Sequence, residues 1–519
     1  MLGSTAPMAI HAGLPYPIRK LLLEADLELE APFTARIFTN RDLAFERIPV
    51  IGFDMDYTLA LYRQAALETL SLECTVEKLL RRGYPARLGE IGSDPEFAIR
   101  GLMVDKKYGN IVKMDRHGYV GRAFHGKTLL SREQRKALYR AQRLGMEHER
   151  FAPVDTLFSL PEVNLYAEVV DLIDREPGLW APKGPPTYAE AWNDVRECID
   201  LSHQDGSIKD RIHADIGRYF VVDPELGPTL HKFRSAGKRL FLLTNSLYPY
   251  TDAVLEYVLG GQLSTYESWH SYFDWIIVGA AKPSFFTGTR PFQELDAGGA
   301  PIGEPVAEPR RGRIYLGGNQ AGLQRALAVA GDEVLYVGDH IYGDIVRSKK
   351  SSGWRTALVV EDLEHDLEVR RSRRTLLDEI EHLSQLQINL TDEITAHRHL
   401  ARMVGRMTVD DLIRGGVATG EADALLEETR AQVRQRFDRL RKHEEETADT
   451  LARRIEEIDR AFNRYWGSIF AARKDASRFG AQVDSYACVY TSRVTNFRFV
   501  SPVKYFHAPY GSLPHWRRQ

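Results

Sequence analysis

Four short apolar runs divide the chain, each closed by small, polar or turn-forming residues. Pro49-Val50-Ile51-Gly52-Phe53 ends in Asp54-Met55-Asp56-Tyr57-Thr58. Arg239-Leu240-Phe241-Leu242-Leu243 ends in Thr244-Asn245-Ser246. Trp275-Ile276-Ile277-Val278 ends in Gly279-Ala280-Ala281-Lys282-Pro283, and Val334-Leu335-Tyr336-Val337 ends in Gly338-Asp339-His340-Ile341-Tyr342-Gly343-Asp344. Continuous apolar runs of this length, rich in β-branched and aromatic residues, predict strands buried on both faces of a parallel sheet. Helical periodicity appears much later. From Val433, apolar residues recur at Phe437, Leu440, Leu451, Ile455, Ile458 and Phe462 in steps of three and four, with Glu444 breaking the seam. That spacing predicts an antiparallel helical hairpin or coiled coil, its charged residues forming a solvated face or a contact with a partner.

In an open α/β sheet, ligands bind in the crevice beyond the carboxyl ends of the strands. The four strand ends place there two carboxylates two residues apart, a hydroxyl, an ammonium and a second carboxylate pair. A carboxylate nucleophile, a neighbour that passes protons and a divalent cation are what phosphoryl transfer asks of a protein, because positioning and charge stabilisation dominate that chemistry.

In order, spacing and residue type, these segments resemble the four motifs of the haloacid dehalogenase superfamily. The resemblance implies an α/β fold: a Rossmann-like core with a parallel sheet, an inserted cap and a helical C-terminal extension. It further implies Asp54 as nucleophile and Asp56 as general acid, then base. Thr244 and the backbone around Asn245 would hold phosphoryl oxygens, and Lys282 would neutralise charge. Mg²⁺ would be bound by Asp54, the Asp56 carbonyl and Asp339, with Asp344 orienting that shell.

Further segments narrow the resemblance. Phe38-Thr39-Asn40-Arg41-Asp42-Leu43-Ala44, Arg100-Gly101-Leu102-Met103-Val104-Asp105, Thr156-Leu157-Phe158, Asp194-Val195-Arg196 and Gly353-Trp354-Arg355 look like the cytosolic purine 5′-nucleotidases that prefer IMP and GMP, bacterial relatives included. By that likeness the substrate is a purine nucleoside monophosphate. Phe158 would stack on the base, and Arg196, Asp200, His203 and Lys209 would bind the nucleotide, although Arg196 and Asp200 also have the i,i+4 spacing of an ion pair along a helix. Ser159 and Gln204 depart from the eukaryotic pattern, which bears on base selectivity. Lys350 and Arg355 fall at effector positions, while Tyr342 and Asp155 depart from them. A homo-oligomer, dimer or tetramer, is expected. The same aspartyl-phosphate could pass its phosphoryl group to a nucleoside instead of water, and a nucleotide-binding scaffold acting through the helical arm is the alternative of another class.

At 519 residues the chain exceeds what one core supports. The motif spacing divides it into an N-terminal segment and core start (1–63), a cap (64–212), the rest of the core (213–361, with a loop-rich insertion at 284–312), a helical region (362–465) and a C-terminal segment returning to the core (466–519). A formal charge of −3 implies no electrostatic affinity for nucleic acid or membranes. Three scattered cysteines suit a reducing compartment, and Met1 to Lys20 lacks an uninterrupted apolar stretch, so a cytoplasmic location is expected.

Overall fold

The computed structural model describes residues 31–92, 94–139, 149–180, 182–341 and 352–509. It separates into two units: His365–Ser468 forms one, and the chain on either side of it forms the other.

The larger unit is built on a nine-stranded sheet. In chain order its strands are Phe38–Thr39 (β1), Val50–Phe53 (β2), Arg239–Leu243 (β3), Trp275–Val278 (β4), Phe292–Leu295 (β5), Ile314–Gly317 (β6), Val334–Gly338 (β7), Arg355–Val359 (β8) and Val489–Thr491 (β9). Across the sheet they run β1-β9-β8-β7-β2-β3-β4-β6-β5. Pairings from β9 to β6 are parallel, and β1 and β5 close the two edges antiparallel. The order reverses about β2, which lies between β7 and β3, so the crevice expected of a doubly wound sheet opens at its carboxyl end.

All four residues of β2, and of β4, are buried, as strands covered on both faces must be. Gly52 has a steric reason. It sits opposite Phe241 in the β2–β3 register, and a Cβ there would lie 2.1 Å from the Phe241 ring. The ring belongs to a core of Trp275, Phe286, Tyr336 and Trp354.

Between β2 and β3 the chain builds a five-stranded antiparallel sheet, including Leu102–Asp105, Asn110–Met114 and Val120–His125, and four principal helices. These are Gln64–Arg81 (α1), Leu160–Arg175 (α2), Tyr188–Gln204 (α3) and Ser207–Ala214 (α4). A capping box starts α3: Thr187 accepts from the Glu190 amide while Glu190 accepts from that of Thr187. The charged run after Ser131 is helical over Arg132–Tyr139, and residues 140–148 lie outside the described residues.

The smaller unit is a helical hairpin of Arg374–Arg406 (α5) and Ala422–Phe462 (α6). Arg454 pairs with Glu379 near one end and Arg430 donates to the Met407 carbonyl near the other, so the helices are antiparallel. The predicted seam started at Val433, but α6 begins eleven residues earlier. Ala422 and Leu426, one turn apart, are buried and extend the apolar seam. Among the described residues no helix is long and apolar enough to cross a membrane.

Candidate active site

Four strand ends meet at the crevice. The Asp54 amide donates to the Val337 carbonyl (2.9 Å), which ties the first motif to the end of β7 where Asp339 follows. The Asp54 carboxylate accepts from the Met55 amide through Oδ1 (2.8 Å) and pairs with the Lys282 ammonium through Oδ2 (2.8 Å). The Lys282 side chain is 4% exposed, so this pair is shielded from solvent screening.

The Lys282 loop is held from two sides. Asn245 clamps its backbone, accepting from the Lys282 amide (2.6 Å) and donating to the Lys282 carbonyl (3.1 Å). Beneath it, Lys282 Nζ donates to the Tyr336 hydroxyl (3.1 Å), which donates to the Leu243 carbonyl (3.2 Å). The Asn245 side chain is therefore engaged in joining two motif loops. Thr244 is buried, and its hydroxyl oxygen accepts from the Ser246 amide (3.1 Å), which leaves its proton to donate. Tyr57 and Ala281, the residues beside Asp56 and Lys282, take left-handed φ values of 52° and 57°. Strain of this kind costs about 1 kcal/mol or more per residue and collects where loops are held for function.

Asp56 is gripped by two hydroxyls. Tyr62 donates to Oδ1 (2.7 Å) and Ser246 to Oδ2 (2.9 Å), and Tyr62 is in turn hydrogen bonded to Tyr250 (2.9 Å). Burial pushes the Asp56 carboxyl above the ordinary carboxylate range; the two hydroxyls, Lys209 and Lys282 oppose that shift.

The nucleotide-binding candidates line a wall that continues from this grip. Phe158, in the turn Leu157–Ser159 before α2, packs edge-on against Tyr57 (4.8 Å), Tyr62 (5.7 Å) and His203 (6.1 Å). Lys209 of α4 lies over the Tyr250 ring at 5.4 Å. On α3, Arg196, Asp200 and His203 follow at spacings of four and three, on one face. Arg196 does pair with Asp200 (3.2 Å), and also with Glu162 of α2 (2.9 Å). Burial, then the charge of Lys209, pushes the His203 imidazole down to about 4.

Several residues here carried no sequence assignment: Tyr62, Ser246, Tyr250 and Tyr336, together with the buried carboxyls Glu68 and Glu162, each raised to about 7 chiefly by burial. Glu68 accepts from Gln64 (2.8 Å) and Asn164 (3.4 Å), and Gln64 accepts from Tyr57 (2.7 Å). Asp344, Tyr342 and Lys350 lie outside the described residues. Arg355 opens β8, and Asp155 faces Arg478 at 3.2 Å.

Among the described residues no group of three His, Cys, Asp or Glu side chains is arranged to hold a metal ion. Asp54 and Asp339 do offer two carboxylates, each just beyond the end of one of the paired strands β2 and β7. One or two carboxylates, with water and phosphate completing the shell, is the oxygen-only donor set a small hard dication takes, so the chemistry of the residues present fits Mg²⁺.

A buried carboxylate–ammonium pair beside a second, doubly hydrogen-bonded carboxyl at the switch point of a parallel sheet is a phosphatase arrangement on an α/β fold. The chain belongs to the 5' nucleotidase family, whose model matches residues 37–518. A 5'-nucleotidase domain-containing protein of Dictyostelium discoideum is 30% identical over 472 residues, covering 89% of this chain and 71% of that protein. Among solved structures it is similar to an HAD phosphatase from Thermococcus onnurineus, at 16% identity over 60% of this chain and 87% of the other, with a TM-score of 0.25. Site and family together define a hydrolase of nucleotide phosphate esters.

Proposed function

We propose that the protein is a Mg²⁺-dependent 5′-nucleotidase that hydrolyses purine nucleoside monophosphates, IMP and GMP, through a phosphoryl group carried on Asp54. The observation that carries this reading is the 2.8 Å Lys282–Asp54 pair with the doubly hydrogen-bonded Asp56 beside it. In the first step an Asp54 carboxylate oxygen attacks phosphorus and the bond to the 5′ oxygen breaks. Asp56, whose burial favours the protonated form of its carboxyl, protonates that leaving oxygen. In the second step Asp56 takes a proton from water, the water oxygen attacks phosphorus, and phosphate leaves as the carboxylate is restored. Lys282 offsets charge on the nucleophile and the transferring group, while Thr244 donates to a phosphoryl oxygen. A magnesium ion held by Asp54, Asp339 and the Asp56 carbonyl, with Asp344 orienting the shell, would neutralise the phosphoryl oxygens.

For the nucleoside, Phe158 supplies an aromatic face and Arg196 with Asp200 supplies donors and an acceptor for a purine edge. His203 is neutral at pH 7, and Lys209 of α4 reaches toward the phosphate. The test is phosphate release from IMP, GMP, CMP and UMP, with and without Mg²⁺. Magnesium-dependent release from the purine nucleotides that is lost in Asp54→Asn supports the reading. Equal release from pyrimidine nucleotides refutes the specificity, and release unaffected by Asp54→Asn refutes the mechanism.

A further inference from the structure

Helix α5 carries two seams. Its inner seam, Leu376, Leu390, Ile394 and Val404, is buried along the hairpin. On the opposite side Glu381, Ile388, Asp392, His399, Met403 and Arg406 follow at steps of 7, 4, 7, 4 and 3, and all six are exposed. At the helical repeat they fall within an arc of about 60°. Ile388 and Met403 are 50% and 51% exposed. The outward face of a simple surface hairpin is polar along its length, and this one instead repeats the spacing of a packed seam.

The order along the face carries the argument. Toward the N-terminal half lie an acid, an apolar residue and an acid; toward the C-terminal half lie an imidazole, an apolar residue and a base. A second α5 laid antiparallel, with a two-fold axis near Thr395 and Ala396, sets Ile388 against Met403 and Asp392 against His399. It also brings Glu381 within one helical turn of Arg406. A parallel copy would set each charge against itself. Small side chains at the crossing point let the two backbones approach. An extended polyanion running along this face would meet Glu381 and Asp392, so the arrangement favours a second copy of the chain over nucleic acid. Along the hairpin, among the described residues, no ion pair engages Arg406 of this face, nor Arg398, Arg402, Arg434, Arg436 or Arg439 outside it.

We propose that two copies of this protein associate antiparallel through the exposed face of α5, in an isologous contact whose axis passes beside Thr395.

Sedimentation and light scattering of the full chain test this, with Ile388→Asp, Met403→Glu, Glu381→Arg and Arg406→Glu. The natural protein is expected to be at least dimeric at micromolar concentration. Each substitution is expected to weaken association about tenfold or more, while the combined Glu381→Arg/Arg406→Glu chain recovers it because the pair is exchanged. Since Cys74, Cys198 and Cys488 are buried, Thr395→Cys gives one exposed thiol beside the axis, and mild oxidation should join two chains through it. A natural chain that stays monomeric overturns the proposal, even if its arginines bind added single-stranded DNA. So does an oligomer unmoved by Ile388→Asp and Met403→Glu. All six side chains are exposed, so circular dichroism should show an intact fold in every variant.

Discussion

Replacing Glu68 by Gln isolates the cost of a buried charge beside the site. Glu68 is 1% exposed and accepts only neutral amide donors, Gln64 and Asn164. Burial raises its carboxyl from 4.5 to about 7. In the window between those values the folded chain keeps a proton that the unfolded chain has released. Stability therefore falls as pH rises from 4.5 to about 7, and the loss is complete above it. A shift of that size corresponds to roughly 3 kcal/mol, with relaxation of the surroundings reducing it. Gln cannot ionise, so the Glu68→Gln chain lacks this slope. Gln and protonated Glu each present one acceptor oxygen and at least one donor, so the two chains should be similarly stable near pH 4.5. The assay is urea unfolding of the larger unit at pH 4.5, 6 and 8. The gap in favour of Glu68→Gln should widen by about 2–3 kcal/mol across that range. An identical pH slope in both chains would refute the reasoning, because Glu68 would then ionise in the folded state at no cost.

Tyr336→Phe removes the hydroxyl linking Lys282 to Leu243, and should cost about 2–4 kcal/mol in unfolding free energy. It should also lower kcat with little change in KM for IMP, since Lys282 loses its support rather than its charge. Arg196→Ala should mainly raise KM for the nucleotide, by about tenfold to a hundredfold, because it deletes one charge-assisted contact. Asp56→Asn should reduce kcat by about 10²–10⁴-fold, the usual weight of a general acid–base. Gly52→Ala drives a methyl into the Phe241 ring and should destabilise the chain by about 1–3 kcal/mol in thermal unfolding.

The strand ends were legible because a parallel strand buried on both faces is a continuous apolar run, and its end is marked by polar residues. Asp54, Asp56, Thr244, Lys282 and Asp339 could thus be placed at one sheet edge before any coordinate was known. Their supports were not legible. Tyr336 sits inside an apolar strand and looks like core packing, and Ser246 looks like a turn residue. The hydrogen bonds that give them roles span 54 and 190 residues. Glu68 and Glu162 stand on helices where a carboxylate ordinarily faces water, and only the packing of α1, α2 and α3 buries them. The Asn245 side chain is engaged with the Lys282 backbone, a pairing of loops that no local pattern encodes. On the hairpin, the inner seam of α6 stood out by periodicity. The outer face of α5 became visible only once burial separated it from the inner one.

The most direct test follows the phosphorus atom itself. In a single turnover with IMP carrying ³²P, quenched in acid at millisecond intervals, transient acid-stable label should appear on the peptide containing Asp54 and decay as phosphate is released. Complete turnover with no protein-bound label at any time, or label on a different residue, would contradict the account.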